Sequence, residues 1–170
     1  ISQEESFIPS PQAGRHSDEK FGTHHARDAY HLFKTLDCHL NLYSSVIKIN
    51  TQYMHSLWFN LRLKNKISKD EVIQRFVEHP QVAVTHKQSA AAIFSFGRDH
   101  GYYGRILTQT VVSLPTIEVI NDGKEVVGFC FTPQDGNSLL STISATLWFL
   151  FPETFQEKLD LFKPYCFQEV

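Results

Sequence analysis

The sequence predicts an α+β fold, with a mostly antiparallel or mixed sheet and helices packed on one face of it. Two runs rich in β-branched and aromatic residues, 42–49 and 53–63, follow each other directly, which favours strands paired as neighbours. Ser68 with Glu71 forms the capping-box pattern that begins a helix. Asn-Asp-Gly at 121–123 separates two extended runs and is the strongest hairpin signal in the chain.

The N-terminal part of the chain is predicted to form an arm followed by a helix. Residues 1–22 have no periodicity and contain prolines and glycines, so we expect a loop or extended arm. Thr23 is a candidate N-cap for a helix over about 26–36. Apolar residues at helical spacing lie on one face of this helix: Ala29, Leu32, Phe33 and Leu36.

The remaining elements alternate between short strands and helices. The helix that begins after Ser68 stops before Pro80. The segment 138–151 is apolar nearly all round, so we expect it to be buried or to cover another domain or subunit. The other predicted elements, in order, are a strand at 82–86, a helix at 89–101 that ends at a glycine, and an extended run at 106–121.

Composition limits the class of protein. A chain of 170 residues suits one domain, here placed at 23–151, between the arm 1–22 and a polar tail 152–170. With 16 basic and 18 acidic residues, nothing favours a nucleic-acid or membrane partner. Three widely spaced cysteines indicate a reducing, cytoplasmic compartment. The opening at Ile1, without a start methionine, suggests a piece of a longer polypeptide.

Histidines are the main candidates for chemistry. His24 and His25 lie at a predicted helix N-terminus, where the helix dipole and the backbone N–H groups favour an anion such as phosphate or carboxylate. The alternative is that they are ordinary surface residues in a loop. His55 lies in a predicted strand, which could hold it rigidly as a general base. The alternative is a structural histidine bonded to a backbone carbonyl.

Other catalytic machinery is missing from the sequence. No HxxxH or HExxH spacing supports a metal site, and there is no GxSxG, P-loop or dinucleotide fingerprint. Cys38 has His39 beside it, but neighbours in sequence need not face each other, and Cys130 fits a buried structural position. Arg98, in a glycine-flanked segment, could bind phosphate through both guanidinium nitrogens. The sequence therefore offers an anion site and a base but no nucleophile.

Five segments also carry a family resemblance. They are FIPSPQAG with THHARDAYHLF, SSVIKINTQYMHS, ISKDEVIQRFVEHPQV, FGRDHGYYGRIL, and IEVINDGKEVVGFCFTPQDG. In this order, over residues 8 to 151, they resemble the C-terminal catalytic half of the archaeal type of glyceraldehyde-3-phosphate dehydrogenase. Leu57 replaces that family's second histidine after Leu-Met-His, and Gln134 and Asp135 occupy the middle of its His-Gln-Glu-Ser motif.

The resemblance implies an NAD(P)-dependent aldehyde dehydrogenase that forms homo-oligomers. Its nucleotide-binding domain, which also carries the cysteine nucleophile, would lie N-terminal to this chain, and NAD or NADP would bind mainly there. His55 would be the general base of the reaction. The other implied roles are binding of a phosphorylated or anionic aldehyde by His24, His25, Thr51 and Arg98, and contact with the cofactor by Gln134 and Asp135.

Two further expectations follow. The isolated chain should be inactive, because it lacks both the nucleotide site and the nucleophile. The loss of a histidine at Leu57 leaves open a second reading, a catalytically inactive relative that acts as a binding or assembly module. A histidine-rich metal-binding domain is a third reading, although the spacing of the histidines gives it no support.

Overall fold

The structure is a computed structural model that describes residues 12–14, 18–49, 54–102, 109–133 and 138–170. Within it the chain divides into two compact units, residues 1–52 and residues 53–170. The predicted domain limits at residues 22 and 151 fall inside these two units.

The first unit contains one helix and a small pair of strands. Helix α1 is His24–Lys34, close to the predicted 26–36, and β1 (Gln12–Ala13) pairs antiparallel with β2 (Ile47–Lys48). The long strand predicted over 42–49 is thus reduced to two residues. Phe21 is buried, and its ring lies 5.0 Å from that of Tyr30 on α1.

The second unit contains the remaining elements, many of them at the predicted positions. The capping box forms with both of its bonds, and Gly101 ends the turn after the third helix with a φ of 83°. The strands are β3 (Met54–Arg62), β4 (Val82–Thr85), β5 (Thr110–Ser113), β6 (Glu118–Ile120) and β7 (Glu125–Pro133). The helices are α2 (Lys69–Glu78), α3 (Ala90–Gly97), a π-helical turn Arg98–Tyr102, α4 (Leu139–Leu150) and α5 (Phe155–Asp160), with short 3-10 turns at Leu114–Thr116 and Lys163–Tyr165.

The five strands of the second unit form one mixed sheet. Its order is β3-β7-β5-β4, and β6 pairs with β7 beside β5. Three of the strand pairs are antiparallel, and β4 with β5 is parallel. The predicted α+β class with a mixed sheet is confirmed.

The two helices nearest the sheet lie on opposite faces of it, each over its own apolar cluster. Val111 is opposite Phe131 in the ladder, and both pack with Ile93 of α3. Val112 and Val126 pack instead with Val72 of α2. Because neighbouring residues of a strand point to opposite faces, these clusters lie on different sides of the sheet. The expectation that helices would share one face does not hold for α2 and α3.

Helix α4 differs from the prediction that it would be buried. Leu140 is its buried residue, whereas Trp148, Phe149 and Leu150 are exposed. Its main described contact is with α5. The alternative, that α4 covers another domain or subunit, stays a prediction. Among the described residues, every helix is too short or too polar to cross a bilayer.

Candidate functional site

The adjacent imidazoles of His24 and His25 occupy the first two positions of α1. Their ring centroids lie 3.9 Å apart with an interplanar angle of 40°, and both residues are exposed. Thr23 is in the N-cap position but does not cap the helix, because its hydroxyl shares a 2.5 Å hydrogen bond with that of Ser44. No acidic residue lies in the first turn of α1. The local field there favours an anion, as predicted.

The cations nearest this helix already have partners. Arg27 Nη1 lies 3.7 Å from Asp18 Oδ2, and Arg27 Nε lies 3.4 Å from Asp28 Oδ1. The ammonium of Lys20 lies 5.0 Å from the ring centroid of Phe21 and 5.4 Å from that of Tyr30, within cation–π distance. Among the described residues, what remains for an anion at this end of α1 is therefore the two imidazoles and the backbone of the first turn.

His55 lies on β3, the strand predicted to hold it. It is opposite Thr132 in the β3–β7 ladder, and it is exposed. No hydrogen bond or ion pair joins its imidazole to any residue in the described part of the chain. A backbone-anchored imidazole with open access can exchange a proton with a bound substrate. The alternative reading, a histidine satisfied by a backbone carbonyl, finds no support in the described contacts.

Arg98 lies at the start of the π-helical turn and is paired with its sequence neighbour. Its Nε donates to Asp99 Oδ1 at 3.1 Å, and its Nη2 lies 3.1 Å from the same oxygen. Both side chains are well exposed. The guanidinium would have to exchange this carboxylate for a phosphate in order to bind one, so the predicted role of Arg98 requires competition with Asp99.

The candidate residues are divided between the two units. His24 and His25 belong to the first unit, and His55 and Arg98 to the second. The other assigned residues, Thr51 for the substrate and Gln134 and Asp135 for the cofactor, lie outside the described residues.

The cysteines offer no activated thiolate where the pKa is resolved. Burial raises the pKa of the Cys130 thiol to about 11, and it also raises the pKa of Cys166. Cys130 lies inside β7 and packs against the cluster of α2. A thiol with such a pKa stays protonated at neutral pH, so Cys130 is structural, as its position in the sequence indicated.

A polar cluster that sequence reasoning missed centres on the Glu125 carboxylate. Its Oε1 accepts a 2.5 Å hydrogen bond from Asn60 Nδ2 of β3, and its Oε2 accepts one from the Asn121 amide. These hydrogen bonds, with that from Asn60 the largest cause, and the nearby charge of Arg62 lower the pKa of Glu125. The sequence signal for this cluster was weak, because no local sequence pattern indicates that Asn60 lies beside Glu125. The cluster ties β3 to the β6–β7 hairpin rather than forming a reactive site.

A groove in the second unit was also not predicted. It is open to solvent, has a volume of about 450 Å³ and is lined by Lys66, Ile67, Ser68, Glu71, Val119, Asp122 and Gly123. Lys66 pairs with Asp122, while Ser68 and Glu71 are bonded to each other in the capping box. Because these polar groups satisfy one another, the groove has little left to offer a ligand.

Among the described residues, no three His, Cys, Asp or Glu side chains come together in a way that could hold a metal ion. Compared with models of known protein families and with curated proteins, the chain matches none.

Proposed function

We propose that this chain is the base-supplying half of an NAD(P)-dependent aldehyde dehydrogenase. In this proposal a thiolate of an N-terminal nucleotide-binding domain attacks the aldehyde, and hydride passes from the resulting hemithioacetal to NAD or NADP. His55 takes the proton of the hemithioacetal hydroxyl as the hydride leaves, and water or phosphate then releases the thioester. The substrate is a phosphorylated or anionic aldehyde.

The observation that carries the proposal is the placement of His55. Its backbone is fixed by the ladder with β7, and its imidazole is exposed and has no described partner. A general base needs this combination of fixed position and open access. Within the first unit, the paired imidazoles at the start of α1 are a separate candidate site for an anion.

The pKa values of two cysteines support placing the nucleophilic thiolate in a domain other than the one that supplies the base. The thiols of Cys130 and Cys166 have raised pKa values, the opposite of what a nucleophile needs. The proposal therefore assigns the thiolate to the domain that precedes this chain, together with most of the nucleotide site.

The test uses the complete protein that contains this chain. Purified protein is assayed for reduction of NAD and NADP with glyceraldehyde 3-phosphate and with a panel of other aldehydes. His55→Asn should lower kcat about a hundredfold or more, as expected for loss of a general base. His86→Asn, another exposed histidine of the second unit, is the matched control and should behave like the wild type.

A second candidate function, a catalytically inactive binding or assembly module, has its own supporting observation. Large apolar side chains are exposed on β3 and α4, including Trp58, Trp148 and Phe149. Surfaces of this kind mark interaction sites. If no aldehyde supports NAD or NADP reduction, the dehydrogenase proposal is wrong and the module becomes the better account. If reduction occurs but His55→Asn leaves kcat unchanged, His55 is structural and is not the general base.

A further inference from the structure

The outer edge of β3 is the long unpaired edge of the sheet. On its inner side all nine residues of β3 pair with β7, and no strand of the described chain pairs with the outer side. The register shows which backbone groups point outward. The N–H of Leu63 donates to Lys124 O at 2.8 Å, so odd-numbered residues of β3 face β7 and even-numbered ones face away. Ser56, Trp58, Asn60 and Arg62 therefore direct their N–H and C=O groups out of the sheet.

This edge lacks the features that normally prevent edge pairing. Natural edge strands are short, or carry lysine, proline or a bulge. β3 has nine residues in unbroken register, contains no lysine or proline, and has Arg62 at its end as its one permanent charge. Its apolar side chains are exposed on both faces: 59% for Trp58 on one face, and 41% for Leu57 and 44% for Leu61 on the other.

We propose that the outer edge of β3 pairs with the same edge of a second copy of this chain. The two strands run antiparallel around a twofold axis at Trp58. In this register Trp58 is opposite Trp58 of the copy, and Ser56 is opposite Asn60 of the copy. Two five-stranded sheets thereby become one continuous sheet.

The order of side chains along β3 favours a second copy over an unrelated strand. Around Trp58 the sequence reads Ser-Leu-Trp-Phe-Asn, so polar and apolar residues are arranged symmetrically about the axis. A twofold interface requires this self-complementarity, because each patch must fit its own copy. Leu57 meets Phe59 of the copy on one face, and the two indoles meet on the other. The polar Ser56–Asn60 pair can form a hydrogen bond across the interface.

The backbone N–H and C=O groups that point outward also belong to the residues that this antiparallel pairing places opposite each other. An axis at an even-numbered residue places even-numbered residues of both copies opposite each other, and these are the residues whose backbone groups point outward. Leu57, Trp58 and Leu61 supply exposed apolar surface beside this edge, with Trp58 on one face of the sheet and both leucines on the other. A standard interface covers about 800 Å² per partner, so the strand backbone and its flanks must supply the rest.

The test is disulfide trapping with two variants of the full chain, each carrying one introduced cysteine and both made with Cys38→Ser and Cys166→Ser. Cys130, which packs against the cluster of α2, is the native cysteine left in both. Residues directly opposite in an antiparallel pair have Cα atoms about 5 Å apart, within reach of a disulfide. Ser56→Cys mixed with Asn60→Cys should give a covalent dimer on mild oxidation. Each variant alone should give none, because like positions lie about 13 Å apart along the paired strands. Each variant oxidised alone is therefore the control for the mixture.

Sedimentation across a concentration series provides the second measurement and does not depend on cysteine. Ser56→Pro removes an outward N–H and leaves the bonds to β7 intact, so the chain should fold. Self-association should weaken about tenfold or more, the effect of losing two symmetry-related hydrogen bonds. Three results would overturn the proposal. They are a monomeric chain at every concentration, a disulfide-linked dimer when either variant is oxidised alone, and a dimer that Ser56→Pro does not weaken. The last result would place the interface elsewhere, for example on α4.

Discussion

The two edge strands of the sheet in the second unit, β4 and β3, differ in the hydrogen bonding of their outer backbone groups. At the β4 edge, the C-terminal residues run alongside the strand: Val84 N donates to Gln168 O and Val170 N to Val84 O, both at 2.9 Å. The Gln109 side chain, itself buried, donates to Phe167 O and accepts from Phe167 N at 2.7 Å each. At the β3 edge no described residue pairs with the outward backbone groups.

The contrast separates a structural side of the sheet from a side available to partners. The β4 edge combines main-chain pairing with the buried side chain of Val170, which packs among Ala83, Ile93 and Val111. β3 depends on a single neighbouring strand and also carries His55, the proposed base. The proposed base and the proposed pairing edge thus lie on the strand that is least enclosed among the described residues, as expected when a rigid scaffold presents them.

The largest loss of stability should come from removing the C-terminal residues that pair with β4. A chain that ends at Cys166 loses the burial of Val170, worth about 1.5–3 kcal/mol. It also leaves the Gln109 amide without its partner Phe167 and the Thr85 hydroxyl without the acceptor Val170 O, at about 1–3 kcal/mol each in these buried surroundings. Urea denaturation should show a free energy of unfolding lower by about 5 kcal/mol. A loss below about 1 kcal/mol would show that the C-terminal segment is not part of the sheet's stability.

A smaller effect is expected from proline substitutions in β3. They should cost more unfolding free energy where the lost N–H points to β7 than where it points outward. Leu57→Pro removes an N–H that points to β7 and should cost about 3 kcal/mol of unfolding free energy. Ser56→Pro, one residue away, removes an outward N–H and should cost less than about 1 kcal/mol when measured on the monomer. Equal losses for the two variants in urea denaturation would contradict the assignment of odd-numbered residues to β7.

Local sequence signals predicted the elements whose causes are local. The capping box of Ser68 and Glu71 forms with both of its bonds, and α2 follows it directly. Asn121, Asp122 and Gly123 all have positive φ values of 50°, 55° and 84°, as the Asn-Asp-Gly turn between β6 and β7 requires. His55 lies on a strand as expected, because a long run that is rich in aromatic residues is a strong strand signal.

The features that sequence reasoning missed depend on distant partners. The Thr23 hydroxyl does not cap α1, because Ser44, 21 residues away, takes it. The strand over 42–49 shrinks to two residues, because β1 offers a partner of only that length. Nothing in the polar tail indicated that residues 168–170 would pair with β4, since such pairing has no local pattern. The faces covered by α2 and α3 were likewise set by packing that the sequence does not encode at short range.

The smallest expected effect concerns acid sensitivity at the open edge. The carboxylate of Glu125, held by Asn60 of β3 and by Asn121, has a pKa below its ordinary value. A carboxyl whose pKa is lower in the folded than in the unfolded chain stabilises the fold at pH values above the unfolded pKa, about 4.3. That contribution is lost as the pH falls through the folded pKa. Asn60→Ala removes the largest cause of the shift, so it should weaken the pH dependence.

Urea midpoints measured from neutral pH downward check this prediction. The wild-type midpoint should fall more steeply than that of Asn60→Ala below about pH 4.3, and the two curves should converge at low pH. Glu71, whose pKa is lowered by its hydrogen bonds with Ser68, contributes an acid sensitivity of the same sign in both proteins and therefore cancels in the comparison. Parallel curves would mean that Asn60 does not hold the Glu125 carboxylate in solution, and that β3 is tied to the hairpin by its backbone ladder alone.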